Sequence, residues 1–190
     1  MAKKRTKRKK LSHKIAGKPP GYLVYTGTND DVPFHADLIE LTTDNKLVET
    51  ANVDVQKLSA QQAKYQWLNV VGLNNIEKIE EVGKIFDIQP LTLENVLNTS
   101  SRPKFEDNNN YIFVVLKMMY YQDENLVAEH VSFILKENLV ITFQEVPVDV
   151  FNGVRERLKD EKSRIRERGA DYLFYALIDE LVDKYFIVFE

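Results

Sequence analysis

Apolar residues recur along much of the chain either at every second position or in short continuous runs bounded by polar turns. The runs rich in β-branched and aromatic residues predict strands at His35–Thr42, Leu47–Val53, Tyr65–Val71, Tyr111–Tyr121, Ala128–Leu135 and Leu139–Phe143, with a shorter β-rich run at Tyr22–Tyr25. Only short turns separate the last three runs. These three strands are therefore predicted to form an antiparallel meander.

A spacing of three to four residues replaces this pattern elsewhere and predicts helices. The predicted helices are Asp54–Lys64, a helix from Asn74 to Asp87, a short one at Leu91–Asn98 after Pro90, one that carries Val150, Val154 and Leu158, and Ala170–Glu190. The last of them has a broad apolar surface and no Gly, Asn or Pro stop signal. It is therefore predicted to continue beyond Glu190.

The order of these elements narrows the fold class. Helices alternate with strands in the first part of the chain, strands then cluster, and helices close it. This order predicts an α/β or α+β fold in which helices pack on a mixed sheet. Apolar residues make up 44% of the chain, which is enough to bury an ordinary core.

Charge is distributed unevenly. Residues 1–10 carry seven Lys or Arg and no acid, and removing these charges from the net charge of −3 leaves −10 for the other 180 residues. Residues 1–21 end in Gly-Lys-Pro-Pro-Gly and are predicted to be a basic, disordered tail. Because the acidic remainder does not extend this basic surface, no nucleic-acid partner is expected.

No catalytic motif stands out. The absence of Cys excludes a disulfide framework, a thiolate metal site and a Cys nucleophile. The three His residues are widely separated, and His130 lies within a strand pattern, where a sheet residue is expected rather than a zinc ligand. Neither a phosphate-binding glycine loop nor a nucleophile paired with a base is present at motif spacing. We therefore predict that the chain is not an enzyme.

Two carboxylates on the last helix are more informative. Asp179 and Asp183 are four residues apart, so they lie one turn apart on the same helix face. Such a pair is either a solvated acidic face or a set of oxygen ligands for a hard divalent cation. Mg²⁺ keeps much of its water and takes only one or two carboxylates, so a site of this kind leaves almost no motif.

Several segments together resemble the CorA family of magnesium transporters. They are LENVLNTSSRPKFEDNNNYIFVVLKMM, VSFIL, ITFQE, VFNGVRERL and ADYLFYALIDELVDKYF, with PPGYLVYTG and WLNVVGL nearer the start. The resemblance covers roughly residues 19–190 in the family's order. Each piece alone is a weak signal, whereas the combination is specific.

The resemblance implies an α/β/α sandwich with a mixed central sheet, followed by the start of a long stalk helix. It implies three regions: a basic tail at 1–21, a cytosolic regulatory domain at 22–158 and the beginning of the stalk at 159–190. In the family, two transmembrane helices absent from these 190 residues would follow. The domain would then lie on the cytoplasmic side of the cell membrane, as part of a homopentameric channel for Mg²⁺, Co²⁺ and Ni²⁺.

The resemblance also implies a regulatory Mg²⁺ site between neighbouring subunits. Carried over by position, its acids match Glu94 on the short helix and Asp179 on the last helix, with Asp183 as a weaker candidate. Asn95 departs from the family, because a neutral amide stands where the family has an acid. The expected cofactor is regulatory Mg²⁺, or another divalent cation such as Co²⁺.

Two alternatives stay open. The zinc-transporting branch of the same superfamily shares the architecture. A soluble α/β hydrolase or nucleotide-binding domain belongs to a different class and predicts a pocket with convergent polar groups.

Overall fold

The computed structural model describes residues 17–58, 63–122 and 124–189. Its framework is a seven-stranded mixed sheet with the order β2-β1-β3-β7-β6-β5-β4. The strands are β1 (His35–Thr42), β2 (Leu47–Thr50), β3 (Ala63–Val71), β4 (Lys104–Asp107), β5 (Ile112–Gln122), β6 (Asn125–Lys136) and β7 (Leu139–Gln144).

Two antiparallel units make up this sheet. Strands β1, β2 and β3 form the first unit, and β4, β5, β6 and β7 form the second. Strands β3 and β7 join the units as a parallel pair, with Gln66 opposite Leu139 and Val71 opposite Gln144. Because a parallel pair needs a crossover connection, the chain between β3 and β7 must leave the sheet and return.

The helices cover both faces of the sheet. They are α1 (Ile76–Ile85), α2 (Pro90–Leu97), α3 (Asn152–Lys159), α4 (Arg164–Glu167) and α5 (Ala170–Phe189). Helices α1 and α2 lie within the crossover from β3 and contribute to one core, which we call the upper core. Helices α3, α4 and α5 follow β7 and contribute to the other, the lower core.

Side-chain alternation along β3 divides these two cores. Leu68 and Val70 point into the upper core, whereas Tyr65 and Trp67 point into the lower core. Every residue of the strand from Tyr65 onward is buried, so apolar and polar residues do not alternate strictly along it. Trp67 is fully buried, and its ring meets Phe151 edge to face at 5.7 Å between ring centroids.

Helix α5 packs directly on the sheet. Leu173, Ala176, Leu177 and Leu181 are fully buried in the lower core, which explains the broad apolar surface in the sequence. Among the described residues, no helix combines the length and the apolar character that crossing a bilayer requires. The three-region division of the chain stays a prediction.

The structure confirms the predicted fold class and the antiparallel meander of β5, β6 and β7. The predicted helix at Asp54–Lys64 is wrong in its described parts. A single 3₁₀ turn covers Val55–Lys57, and Ala63 already pairs with Thr42 as part of β3. Residues 59–62 lie outside the described ranges.

Other predicted elements differ from the structure in their existence or in their bounds. Tyr22–Tyr25 forms no strand, and the return strand of the first hairpin ends at Thr50 rather than Val53. The short edge strand β4 and the single-turn helix α4 were not predicted. Residues 1–16 of the predicted tail and Glu190 lie outside the described ranges.

Gly72, at the end of β3, supplies a test of the close packing around the sheet. It has a φ of 83°, and a Cβ there would lie 2.6 Å from the backbone oxygen of Pro33. Gly72→Ala should lower the free energy of unfolding by about 3 kcal/mol, because left-handed strain adds to a backbone clash. Urea denaturation measures this change.

Gly17→Ala is the matched control. Gly17 has a φ of 82°, and a Cβ there would meet nothing within 4 Å. This variant carries the same backbone strain without the clash and should lose about 1 kcal/mol or less. Equal losses in the two variants would contradict the packing argument.

Candidate functional site

Helix α2 positions Glu94 and Asn95. It begins at Pro90, whose fixed φ suits the first helical position, after an extended Gln89. Its inner face is buried against the upper core and consists of Thr92, Leu93, Val96 and Leu97. Glu94 and Asn95 therefore fall on the outer half of the helix, where both side chains are half-buried.

The Glu94 carboxylate is tied to the segment that precedes the sheet. Its Oε2 accepts a hydrogen bond of 2.7 Å from the backbone N–H of Gly21. A carboxylate has about four acceptor positions, so this bond leaves Glu94 able to take a cation as well. Asn95 donates from Nδ2 to the backbone oxygen of Leu91 at 3.0 Å, which leaves its Oδ1 as the atom available to a metal.

Helix α5 positions the other two candidates. Asp179 follows the buried Leu177 and is half-buried, whereas Asp183, one turn later, is exposed. The Tyr175 hydroxyl donates to Asp179 Oδ1 at 3.2 Å. The negative charge of Asp179 raises the pKa of Tyr175, as does this hydrogen bond.

The two halves of the predicted site do not meet within one chain. Helix α2 packs on the upper face of the sheet and α5 on the lower face, so the sheet separates Glu94 from Asp179. Within the described ranges, no three His, Cys, Asp or Glu side chains come close enough to share a metal ion. The sequence prediction that these residues form one site stays a prediction.

Sequence reasoning missed a buried polar cluster behind α2. We call it the β-sheet polar cluster; its members are Tyr25, Asn29, Lys117, His130 and Glu145. Glu145 is only 7% exposed, and its Oε2 accepts from the Tyr25 hydroxyl at 3.0 Å and from Asn29 Nδ2 at 3.2 Å. Burial, followed by the nearby charge of Glu145, raises the pKa of Tyr25. The hydroxyl therefore stays protonated and continues to donate.

His130 and Lys117 complete the cluster from paired positions on β6 and β5. His130 is fully buried within the sheet, in agreement with its position in a predicted strand. Its Nε2 lies 2.9 Å from Ser132 Oγ. Burial lowers the pKa of the His130 imidazole to about 3, with a smaller contribution from the Lys117 charge. Burial also lowers the pKa of Lys117.

This cluster fixes the carboxyl end of α2. The Lys117 ammonium donates to the Thr99 backbone oxygen at 2.7 Å, just beyond the helix. Thr26 adds bonds from its backbone N–H to the Leu97 oxygen and from the Thr99 N–H to its own Oγ1. In the sequence, the one available signal for this cluster is a Lys and a His that each stand within an apolar strand segment.

The lowered pKa of His130 predicts a pH-dependent stability. Between about pH 3 and pH 6.5 the unfolded chain binds a proton at this residue that the folded chain does not. Stability should therefore fall as pH drops below 6.5, with a contribution of up to about 1.4 kcal/mol per pH unit. His130→Gln should remove this contribution in urea denaturation at pH 7 and pH 5.

His35→Gln, at a half-exposed histidine, is the control and should keep the wild-type difference between the two pH values. An unchanged pH dependence in His130→Gln would contradict the assignment.

Comparisons with known proteins identify relatives that match most of the chain. The family model described as CorA-like Mg²⁺ transporter protein matches residues 62–190. The cobalt/magnesium transport protein CorA of Thermotoga maritima is 41% identical over 96% of this chain, which covers 52% of that protein. The chain thus spans about half the length of this curated relative.

Two solved structures share the fold. The soluble domain of CorA from Methanocaldococcus jannaschii aligns with 83% of this chain and 58% of its own, with a TM-score of 0.63 and 15% identity. The ZntB cytoplasmic domain from Vibrio parahaemolyticus aligns with 83% of this chain and 62% of its own, with a TM-score of 0.59 and 13% identity. The family match covers well over half of the chain, and the chain therefore belongs to the CorA family of Mg²⁺ transporter proteins.

Proposed function

We propose that this chain is the cytosolic regulatory part of a divalent-cation transporter that passes Mg²⁺, Co²⁺ and Ni²⁺. The observation that carries the proposal is the 41% identity, across nearly the whole chain, to a cobalt/magnesium transport protein. The matching fold of a CorA soluble domain supports it. In this proposal the domain lies on the cytoplasmic side of the cell membrane, and its role is to sense the cation.

The sensing site lies between two copies of the chain in a homopentamer. Glu94 of one copy faces Asp179 of the next, and one Mg²⁺ binds between them. The placement of these residues on opposite faces of one sheet supports an intersubunit site, because a single chain cannot bring them together. Asp183 lies one turn from Asp179 and adds negative charge at the same surface.

Electrostatics makes such a site a switch. Two carboxylates about 4 Å apart repel by about 4 kcal/mol at an effective dielectric constant of about 20. A bound Mg²⁺ replaces this repulsion with two attractions, so it stabilises the closed arrangement of subunits. Loss of Mg²⁺ restores the repulsion and shifts the population toward the open arrangement.

Asn95 weakens this switch relative to a chain with an acid at that position. Its Oδ1 is a neutral ligand, and affinity for hard cations depends on the number of charged ligands. Lys117 of the β-sheet polar cluster and the neighbouring Thr26 compensate, because they fix the end of the helix that carries both ligands. Less binding energy is then needed to order the site.

The zinc-transporting alternative has the same fold, so the fold alone does not distinguish it from the proposed Mg²⁺ transporter. The curated relative favours Mg²⁺ and Co²⁺. A soluble hydrolase or nucleotide-binding domain finds no support in the family match.

Cation flux tests the transport proposal. Proteoliposomes carrying the longest natural chain that contains these residues should take up Mg²⁺, Co²⁺ and Ni²⁺, because the proposed substrate class is a small hard or borderline divalent cation. Fluorescent indicators inside the vesicles measure the uptake. Uptake of Zn²⁺ alone would place the protein in the zinc branch instead.

The regulatory site is tested by titrating Mg²⁺ into the same protein and following protease protection. Glu94→Gln and Asp179→Asn should each raise the Mg²⁺ concentration for half-maximal protection by about tenfold, because each removes one charged ligand. Asn95→Asp should lower that concentration, since it adds a charged ligand.

Asp171→Asn is the matched control, because it neutralises an exposed acid in the first turn of the same helix α5. It should leave the midpoint unchanged. Midpoints that stay at the wild-type value in both Glu94→Gln and Asp179→Asn would overturn the site while leaving the transport proposal intact.

A further inference from the structure

A second polar region lies at the opposite side of the sheet from α2, next to the start of α3. Three adjacent strands contribute to its floor. On the lower face, β1 changes from Leu41 and Ile39 to Asp37, and β3 changes from Trp67 to Asn69. On β7, Val140 gives way to Thr142 and then Gln144. The change from apolar to polar occurs at the same level of the sheet on all three strands, because Asn69 pairs with both Asp37 and Thr142.

A cavity of about 260 Å³ opens above this floor. Its walls include His35 and Asp37 of β1, Asn69 of β3 and Gln144 of β7, closed by Asp149 and by Arg155 of α3. Asn69 and Gln144 are 5% and 3% exposed. Two buried carboxamides side by side are costly unless their donors and acceptors are satisfied.

A hydrogen-bond chain fixes the orientation of the Asn69 amide. Trp67 Nε1 donates to Thr142 Oγ1 at 2.9 Å, and the Thr142 hydroxyl donates to Asn69 Oδ1 at 2.7 Å. Because Oδ1 is the accepting end, the Nδ2 group is the end left to donate to a ligand. Gln144 donates from Nε2 to the Val148 oxygen at 3.2 Å, which leaves its Oε1 as an acceptor.

Arg155 supplies a fixed positive charge in the same cavity. Its guanidinium lies over the Trp67 ring, 4.6 Å from the ring centroid. Asp149 Oδ1 forms an ion pair with Arg155 Nε at 3.8 Å, which is too long for a hydrogen bond. A guanidinium held on an aromatic face presents a planar fork of donors that matches a carboxylate.

The cavity also carries two negative groups. Asp37 uses one oxygen to accept from the Asn52 N–H at 2.9 Å, and Asp149 is exposed at the cavity mouth. A simple anion would meet both carboxylates, whereas a bare metal cation would meet the Arg155 charge. A ligand with both signs of charge satisfies both sets of groups.

We infer that this cavity binds a free amino acid as a zwitterion. The ligand carboxylate binds the Arg155 fork and Asn69 Nδ2, and its ammonium group binds Asp37, Asp149 and the Gln144 oxygen. A water molecule in the liquid occupies about 30 Å³, so the volume suits roughly ten non-hydrogen atoms. The site is independent of the Mg²⁺ surface, because none of its groups belongs to α2 or α5.

Trp67 is the only tryptophan of the chain and reports directly on this site. We expect a saturable change in its fluorescence when the 190-residue chain is titrated with glycine or with larger amino acids, with dissociation constants of about 1 mM or below for the best of them. Acetate and methylammonium, which each present half of the zwitterion, should bind at least about tenfold more weakly. Calorimetry supplies a second readout that does not depend on the indole.

Variants link the binding to the named groups. Arg155→Gln and Asp37→Asn should each raise the dissociation constant about tenfold or more. Asn69→Asp replaces the donor with a negative charge and should abolish binding, and circular dichroism checks that this buried charge leaves the chain folded. Arg157→Gln, two residues further along α3, removes an equal charge outside the cavity and should bind as the wild type does.

Three outcomes would overturn the inference. A flat response to every amino acid up to about 10 mM would show that the cavity holds water alone. Acetate binding as tightly as glycine would show that the ammonium group is not recognised. Wild-type affinity in Arg155→Gln by calorimetry would place the ligand elsewhere.

Discussion

The pairing of β3 with β7 is the constraint on which the rest of this structure depends. It is the parallel contact between two antiparallel units, and it forces the chain between them to cross over the sheet. The crossover places α1 and α2 on the upper face, while the helices after β7 cover the lower face. Trp67, buried in the middle of this junction, packs against Phe151 and so couples the sheet to the segment before α3.

Much of this arrangement follows from local sequence. Strands β3 and β7 are mostly apolar because they are buried on both faces, and such a segment is detectable without any knowledge of its neighbours. Helix α1 is equally easy to predict from the sequence, since Ile79 and Val82 mark its buried face. The Asp54–Lys64 prediction failed because Ala63 pairs with Thr42 of β1 and begins β3 together with Lys64, whatever their helical preference. The burial of Arg166, whose Nη1 donates to the Leu158 oxygen, has no signal in the charged segment of sequence that contains it.

The candidate sites also differ in how far the local sequence predicts them. Glu94 and Asp179 came from a family resemblance, because a half-buried acid on a helix has no local signature of metal binding. The contacts of Lys117 and Glu145 depend on strand register, which brings residues from distant parts of the chain together behind one helix. The polar cavity floor is still harder to predict from the sequence. No single strand shows it, and it exists because three strands change from apolar to polar at one level of the sheet.

The opposite placement of α2 and α5 has a consequence for symmetry. In the proposed site, each chain offers Glu94 to one neighbour and Asp179 to another, so the contact is head to tail. Such a heterologous contact cannot be satisfied by a two-fold dimer, in which both partners use the same patch. It propagates until the rotation between the α2 and α5 surfaces closes a ring. Under this proposal, the copy number is set by the angle that the sheet imposes between its two helical layers.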